Sequence, residues 1–251
     1  MRNSTTRFSN RVDNYVKYRP HYPEAVLTFL ENDLGLAKEM IIADIGSGTG
    51  ISAELFLEQG YTVLGIEPNR EMRERSVALL KTFPNFTAID GAAEATTLPS
   101  SNVDVIIAGQ AFHWFDPEKT RAEFDRIVKP GGYVVLMWNE RLVASAFEKA
   151  YEQFIIAHGN QYQQVDHRNI DTPSIERFFA PQQVLLKEFP NQQVFDLAGL
   201  EGRLLSSSYM PSKSEAGYQS MISDLQILFD RFQKDDRVTI HYTTKAYTAR
   251  L

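Results

Sequence analysis

Gly46, Gly48 and Gly50 alternate with Ser47 and Thr49 directly after the largely apolar run Ile41-Ile42-Ala43-Asp44-Ile45. Glycine carries no Cβ, so a turn of this kind lets a ligand lie on the main chain, with the N–H groups of a following helix aimed at it. That geometry suits a ligand with a polar or negative group. Glu67 stands twenty-one residues beyond Gly46, at the end of a second apolar run. In nucleotide-type sheets an acid at this place accepts hydrogen bonds from ribose hydroxyls. A third apolar run ends in Gln110-Ala-Phe-His-Trp-Phe-Asp116, which gathers three aromatic rings around His113. Aromatic faces attract cations, and an imidazole can take a proton near neutral pH or serve as a packed core residue.

Spacing separates the kinds of glycine turn. A dinucleotide fingerprint counted from Gly46 needs a small residue where this chain has Ile51, and a phosphate loop needs a Lys after its last glycine, which is absent. The form that remains is D-x-G-x-G-x-G. With it, the chain resembles the class I S-adenosylmethionine-dependent methyltransferases, whose first motif is similar. The resemblance extends to R-F-S-x-x-V-D-N-Y-V-K-Y-R-P-x-Y-P near the N-terminus, to G-x-A-E-x-x-x-L-P at 91–99, to Q-A-F-H-W-F-D and to the V-K-P-G-G turn. The Q-A-F-H-W-F-D run is similar to a branch that includes trans-aconitate methyltransferase-like proteins, acting on small carboxylates and other small metabolites.

The resemblance implies S-adenosyl-L-methionine as cofactor and S-adenosyl-L-homocysteine as product. Cofactor contacts are then expected from Asp44, Gly46, Ser47, Gly48 and Gly50 in the first motif, and from Glu67 and Pro68 at the ribose. Ala93 and Glu94 are expected at the adenine, where Glu94 is otherwise a plain loop acid, and Gln110 at the end of the strand over 103–109. Ala92 replaces an Asp common in the family, which removes one side-chain contact to the adenine amino group. An N-terminal lid would bring Tyr15 and Arg19 to the methionine end. The acceptor would meet Tyr18, His113, Trp114 and Arg141, closed from above by Arg203 and Tyr209. His113 is the first candidate base, and a carboxylate acceptor would need no base at all.

These groups must be positioned by an α/β frame. The patterns predict helices over 12–19, 23–34 and 51–59, then one opened by Pro68 and Asn69 with Met72, Leu79 and Leu80 on its buried face. Strands are expected at 41–45, 61–67, 86–90, 103–109 and 133–138, the helix before the last running from Phe124 into the Pro-Gly-Gly turn. Later segments read as a helix at 144–158, a turn at 174–179, paired strands at 184–189 and 193–197, helices at 198–208 and 214–234, and a strand at 238–249. The expected whole is one Rossmann-like domain over 1–251. Its sheet has seven mostly parallel strands with an antiparallel last strand and helices on both faces. An N-terminal lid and helix (1–36) and a cofactor core (37–141) are followed by cap helices and sheet-completing strands (142–251).

Composition narrows the partners. With 251 residues, 43% hydrophobic and 23% charged, the chain can bury one large core. A net charge of −6 and the lack of a dense basic patch argue against a nucleic-acid partner. No cysteine is present, which excludes disulfides, thiolate zinc sites and thiol nucleophiles. No run approaches a membrane span and no signal-peptide pattern opens the chain, so a cytoplasmic protein with a small-molecule acceptor and no metal is expected. Composition leaves the oligomeric state undetermined. The principal alternative is a cofactor-binding sensor or accessory protein without methyl transfer.

Overall fold

The computed structural model of the chain describes residues 16–160, 172–207 and 209–251. Tyr15 and the first half of the expected 12–19 helix lie outside them.

Helix α1 (Glu24–Leu34) starts after Pro23 and stops at Gly35, which takes a left-handed conformation so that its N–H bonds back to Leu30. Strand β1 (Ile41–Ile45) leads through the glycine turn into α2 (Ile51–Leu57), then β2 (Thr62–Ile66). In α3 (Arg70–Leu79) the Asn69 side chain accepts from the Met72 N–H as N-cap. Met72, Ser76 and Leu80 are buried there, but Leu79 is 37% exposed, so it leaves the buried face expected of it. Strands β3 (Phe86–Ile89) and β4 (Val103–Gly109) follow.

Helix α4 (Pro117–Ile127) begins well before Phe124, because Asp116 caps it through the Lys119 N–H and Pro117 suits its first turn. Strand β5 runs from Val128 to Arg141, so the Pro-Gly-Gly turn falls inside it. Val103 faces Val128 and Val105 already faces Tyr133, so the extra residues bulge out of register around Gly131 (φ 80°). Helix α5 (Ala146–His158) has a reciprocal capping box between Ser145 and Glu148, and α6 (Thr172–Phe179) is a helix where a turn was expected.

The two late strand segments are one strand, β6 (Leu185–Phe195), paired to β7 (Val238–Arg250) rather than to each other. Pro190 interrupts the sequence pattern but not the strand. β6 is the outermost strand, and an edge tolerates a residue that cannot donate. Helices α7 (Leu197–Leu205) and α8 (Tyr218–Phe232) lie between them in the chain.

The sheet order is β3-β2-β1-β4-β5-β7-β6, and β7 is antiparallel to both neighbours while β1 to β5 are parallel. Alternate strand residues feed two cores. Ile45, Ile106, Val134 and Leu136 pack on one face with Phe124 and Phe178, while Ile42, Val105, Ile107 and Val135 pack on the other with α1 and α2. A third core joins α5, α7 and α8 to the first residues of β7, Val238, Ile240 and Tyr242. It forms a cap beyond the carboxyl ends of the parallel strands. Between β1 and β4 the chain switches from building one side of the sheet to the other, the place where such sheets open a crevice.

Candidate functional site

The crevice begins at the glycine turn. Gly46, Gly48 and Gly50 all have positive φ (68°, 56° and 91°). The turn is pinned to the end of β2, where Ile66 O accepts from the Gly46 and Ser47 N–H groups at 2.9 and 3.1 Å. A Cβ on Gly46 would stand 2.7 Å from the Ala111 Cβ, so only glycine fits between the turn and the end of β4. Ser47 and Thr49 are 5% and 3% exposed, and their hydroxyl oxygens have no hydrogen-bond partner among the described residues.

Glu67 is tied to this turn. One carboxylate oxygen accepts from the Gly48 N–H at 2.9 Å and the other from the Asn69 N–H at 2.7 Å. Burial raises its pKa, and those two backbone donors with nearby Arg73 oppose the rise. Asp44 is fully buried behind the turn. Ser52 donates to its Oδ2 at 2.6 Å, while Oδ1 has no partner among the described residues. Burial pushes its pKa up to about 7, against the Ser52 hydroxyl, and the charge of Glu67 adds to the rise.

At the end of β4, Gln110 takes a positive φ of 57°, unusual for a side chain with a Cβ. Its N–H bonds to Met137 O and its Nε2 to Asn139 O at 3.2 Å, leaving a buried Oε1 without a partner among the described residues. Gln110 joins the glycine turn in lining a cleft with about 1170 Å³ of empty space, its open mouth included.

The N-terminal segment roofs the cleft. Asn139 on β5 donates to the carbonyls of Pro20 and His21, Asn191 on β6 also donates to His21 O, and Gln193 donates to Tyr18 O. Arg19 donates to Ser206 O at 3.2 Å beside α7. The far wall is cationic. Arg141 pairs with Glu152 and lies over the Tyr151 ring, Lys245 pairs with Glu140 at 2.5 Å, and Arg203 lies 9% exposed against Tyr242.

Among the residues expected in the site, Arg19, Gly46, Ser47, Gly48, Gln110, Arg141, Arg203 and Tyr209 therefore share one cleft. Gly50 caps α2 immediately below it, and Glu67 braces it from β2 with Pro68 next in the chain. Tyr18 packs on Gly202 of α7. Ala93 is 4% exposed in the loop after β3, and Glu94 accepts from the Asp116 N–H at 2.7 Å, clamping that loop to the start of α4. His113 and Trp114 stand on a short 3-10 turn with ring centroids 4.8 Å apart, outside the residues lining the cleft. Their neighbour Phe112 turns into the core against Phe178. Tyr22, Thr49, Lys245 and Tyr242 line the cleft without having been expected there. Tyr22 belongs to the N-terminal motif and Thr49 to the turn, signals that were present. Lys245 and Tyr242 arrive only through the pairing of β7 with β5, opposite Trp138 and Arg141.

Comparison with known proteins agrees with this geometry. Residues 43–136 match the family model described as a methyltransferase domain. An uncharacterized methyltransferase of Mycobacterium bovis is 33% identical over 56% of this chain, and the aligned part spans 55% of that relative's length. One from Schizosaccharomyces pombe is 25% identical over 96% of both chains. In fold, the chain is similar to a candidate type II methyltransferase from Anaeromyxobacter dehalogenans (TM-score 0.70, 19% identity, 93% of this chain and 98% of that one). It is also similar to phosphoethanolamine N-methyltransferase 2 of Haemonchus contortus, solved with S-adenosyl-L-methionine (TM-score 0.58, 15% identity, 99% and 58%). No helix among the described residues is long and apolar enough to cross a membrane.

Proposed function

Since the chain belongs to the class I S-adenosylmethionine-dependent methyltransferases, we propose that its cleft transfers the methyl group of that cofactor to a small-molecule acceptor held between the roof and the cap. When bound, S-adenosylmethionine supplies a methyl group on a positively charged sulfur, open to in-line displacement by an acceptor oxygen, nitrogen or carbon, and leaves as the thioether S-adenosylhomocysteine. The residues present fit it. The observation that carries this reading is the convergence of three buried, unpartnered polar atoms, Ser47 Oγ, Thr49 Oγ1 and Gln110 Oε1, in the wall that the glycine turn and the end of β4 give to one cleft. A buried polar group left unsatisfied costs about 1–3 kcal/mol. Three in one wall mark where a polar ligand completes the bonding.

In this reading the glycine turn and Gln110 hold the amino-acid end, and the remaining lone pairs of Glu67 accept from the ribose hydroxyls. The Ala93–Glu94 loop flanks the adenine. The segment 18–21 excludes water, so alignment supplies much of the rate. A carboxylate acceptor needs no base; His113, outside the residues lining the cleft, is the base candidate for an acceptor that must lose a proton.

Titration calorimetry with S-adenosylmethionine and S-adenosylhomocysteine tests the pocket, and release of S-adenosylhomocysteine across a metabolite library tests the transfer. Binding of neither compound would refute the proposal. Binding with no release from any acceptor would favour a sensor.

A further inference from the structure

Arg203 is set apart from the other cations of the far wall. Arg141 and Lys245 each face a carboxylate, Glu152 and Glu140. Arg203 is about nine-tenths buried, yet among the described residues its partners are hydroxyls: Tyr242 Oη for Nε at 3.3 Å, and Ser206 Oγ and Ser207 Oγ for Nη1 at 3.3 and 3.2 Å. No ion pair to it forms among the described residues. A buried guanidinium is stable when a carboxylate or phosphate answers its charge, and hydroxyls answer only its hydrogen bonds.

The hydroxyls also fix its direction. Tyr242 Oη donates onward to Gln193 Oε1 at 2.9 Å, and Ser206 Oγ donates to the Arg203 carbonyl at 2.6 Å, so both are oriented to accept from the arginine. Nε and Nη1 are thereby occupied. Nη2 makes no hydrogen bond among the described residues, and Arg203 lines the cleft.

Position assigns the ligand. Tyr242 lies on β7, three strands from β1 in the order β1-β4-β5-β7. At about 4.8 Å per strand this is roughly 14 Å from the glycine turn. We infer that Arg203 is the anchor for an anionic group, a carboxylate or phosphate, on the acceptor molecule, binding at the β7 end of the cleft as a handle apart from the atom that receives the methyl group. The inference rests on the proposed methyl transfer and names the acceptor class for it. With Nε and Nη1 held by hydroxyls, the Nη2 protons are the donors left for an oxygen of such a group, and the guanidinium keeps its charge at any working pH.

The test uses the full chain loaded with S-adenosylhomocysteine. Succinate, citrate and inorganic phosphate are titrated at matched ionic strength, with succinamide as uncharged control, into wild type, Arg203→Gln and Arg203→Lys. At least one anion is expected to bind wild type while succinamide does not. Arg203→Gln should weaken that binding by roughly 30-fold or more, and Arg203→Lys should recover part of it. Affinity for S-adenosylmethionine in both variants should stay within about twofold of wild type, which also reports that they fold. Preference for succinate and citrate over phosphate would assign a carboxylate handle, and the reverse a phosphate handle.

Equal anion binding by wild type and Arg203→Gln would overturn the inference, as would anion binding by neither or a matching loss of cofactor affinity. Release of S-adenosylhomocysteine by uncharged acceptors alone would overturn it too, leaving methyl transfer intact. Anion binding that depends on Arg203, with no release from any acceptor, would instead remove the methyl-transfer reading and keep the anion site.

Discussion

Both carboxylate oxygens of Glu67 accept from the main chain, and these contacts to the Gly48 and Asn69 N–H groups hold the glycine turn against the start of α3. In the proposed function its remaining lone pairs take the ribose hydroxyls. Hydrogen bonds to a charged group contribute about 1.5–3 kcal/mol, so Glu67→Ala is expected to weaken S-adenosylmethionine binding by roughly 10- to 100-fold in calorimetry. Unchanged affinity would remove the ribose assignment. Asp44 carries a different consequence, because its pKa of about 7 in the folded chain lies well above its ordinary 3.8. The folded state therefore holds a proton that the unfolded state releases between those values. Its contribution is full below about pH 4 and is lost as pH rises toward 7. Asp44→Asn should flatten this loss, read as a smaller drop in urea midpoint between pH 4.5 and 7.5 than wild type shows.

At the scale of elements, two glycines serve as spacers between parts that are distant in sequence. Gly46 lets the turn after β1 reach the end of β4. Gly46→Ala meets both the 2.7 Å contact with Ala111 and a left-handed backbone, so a loss of about 2–4 kcal/mol in unfolding free energy is expected, with cofactor binding abolished. Gly202 on α7 seats the Tyr18 ring, which would come within 2.0 Å of an added Cβ. Gly202→Ala should lift the N-terminal segment from the cap at a smaller cost, about 1–3 kcal/mol. Its signature is a fall in kcat/KM larger than the change in cofactor affinity, since the roof closes over the acceptor end. An equal fall in both would place Tyr18 over the cofactor instead.

The whole molecule joins a parallel sheet that holds the turn to a cap that sits on β7, and the joint is itself ionised. Glu148 accepts from the Ala144, Ser145 and His241 N–H groups and from the His241 ring, so its pKa falls to about 2 despite burial. Arg126 and Thr96 bring Glu123 to about 2 as well. Both contribute stability that is present above their unfolded values and lost as pH falls from about 4.5 toward 2. Glu148→Gln should therefore lower the unfolding midpoint at pH 7 and leave it nearly unchanged at pH 2. The glycine turn, Glu67 and the five parallel strands could be read from the sequence because each rests on local causes: apolar runs, left-handed turns, and an acid one strand away. Periodicity could not place the Pro-Gly-Gly bulge inside β5 or join β6 across Pro190, since partner strands decide both. The β7 side of the cleft was least apparent: Tyr242 and Lys245 are scattered among weak patterns, and Arg203 entered only through the family resemblance. Sequence by itself thus determined the half of the cleft built from contiguous motifs and the cofactor it resembles. Only the tertiary structure decided that Arg141 and Lys245 meet carboxylates while Arg203, among the described residues, meets hydroxyls, because strand pairing and the docking of α7 bring together side chains that no local signal connects.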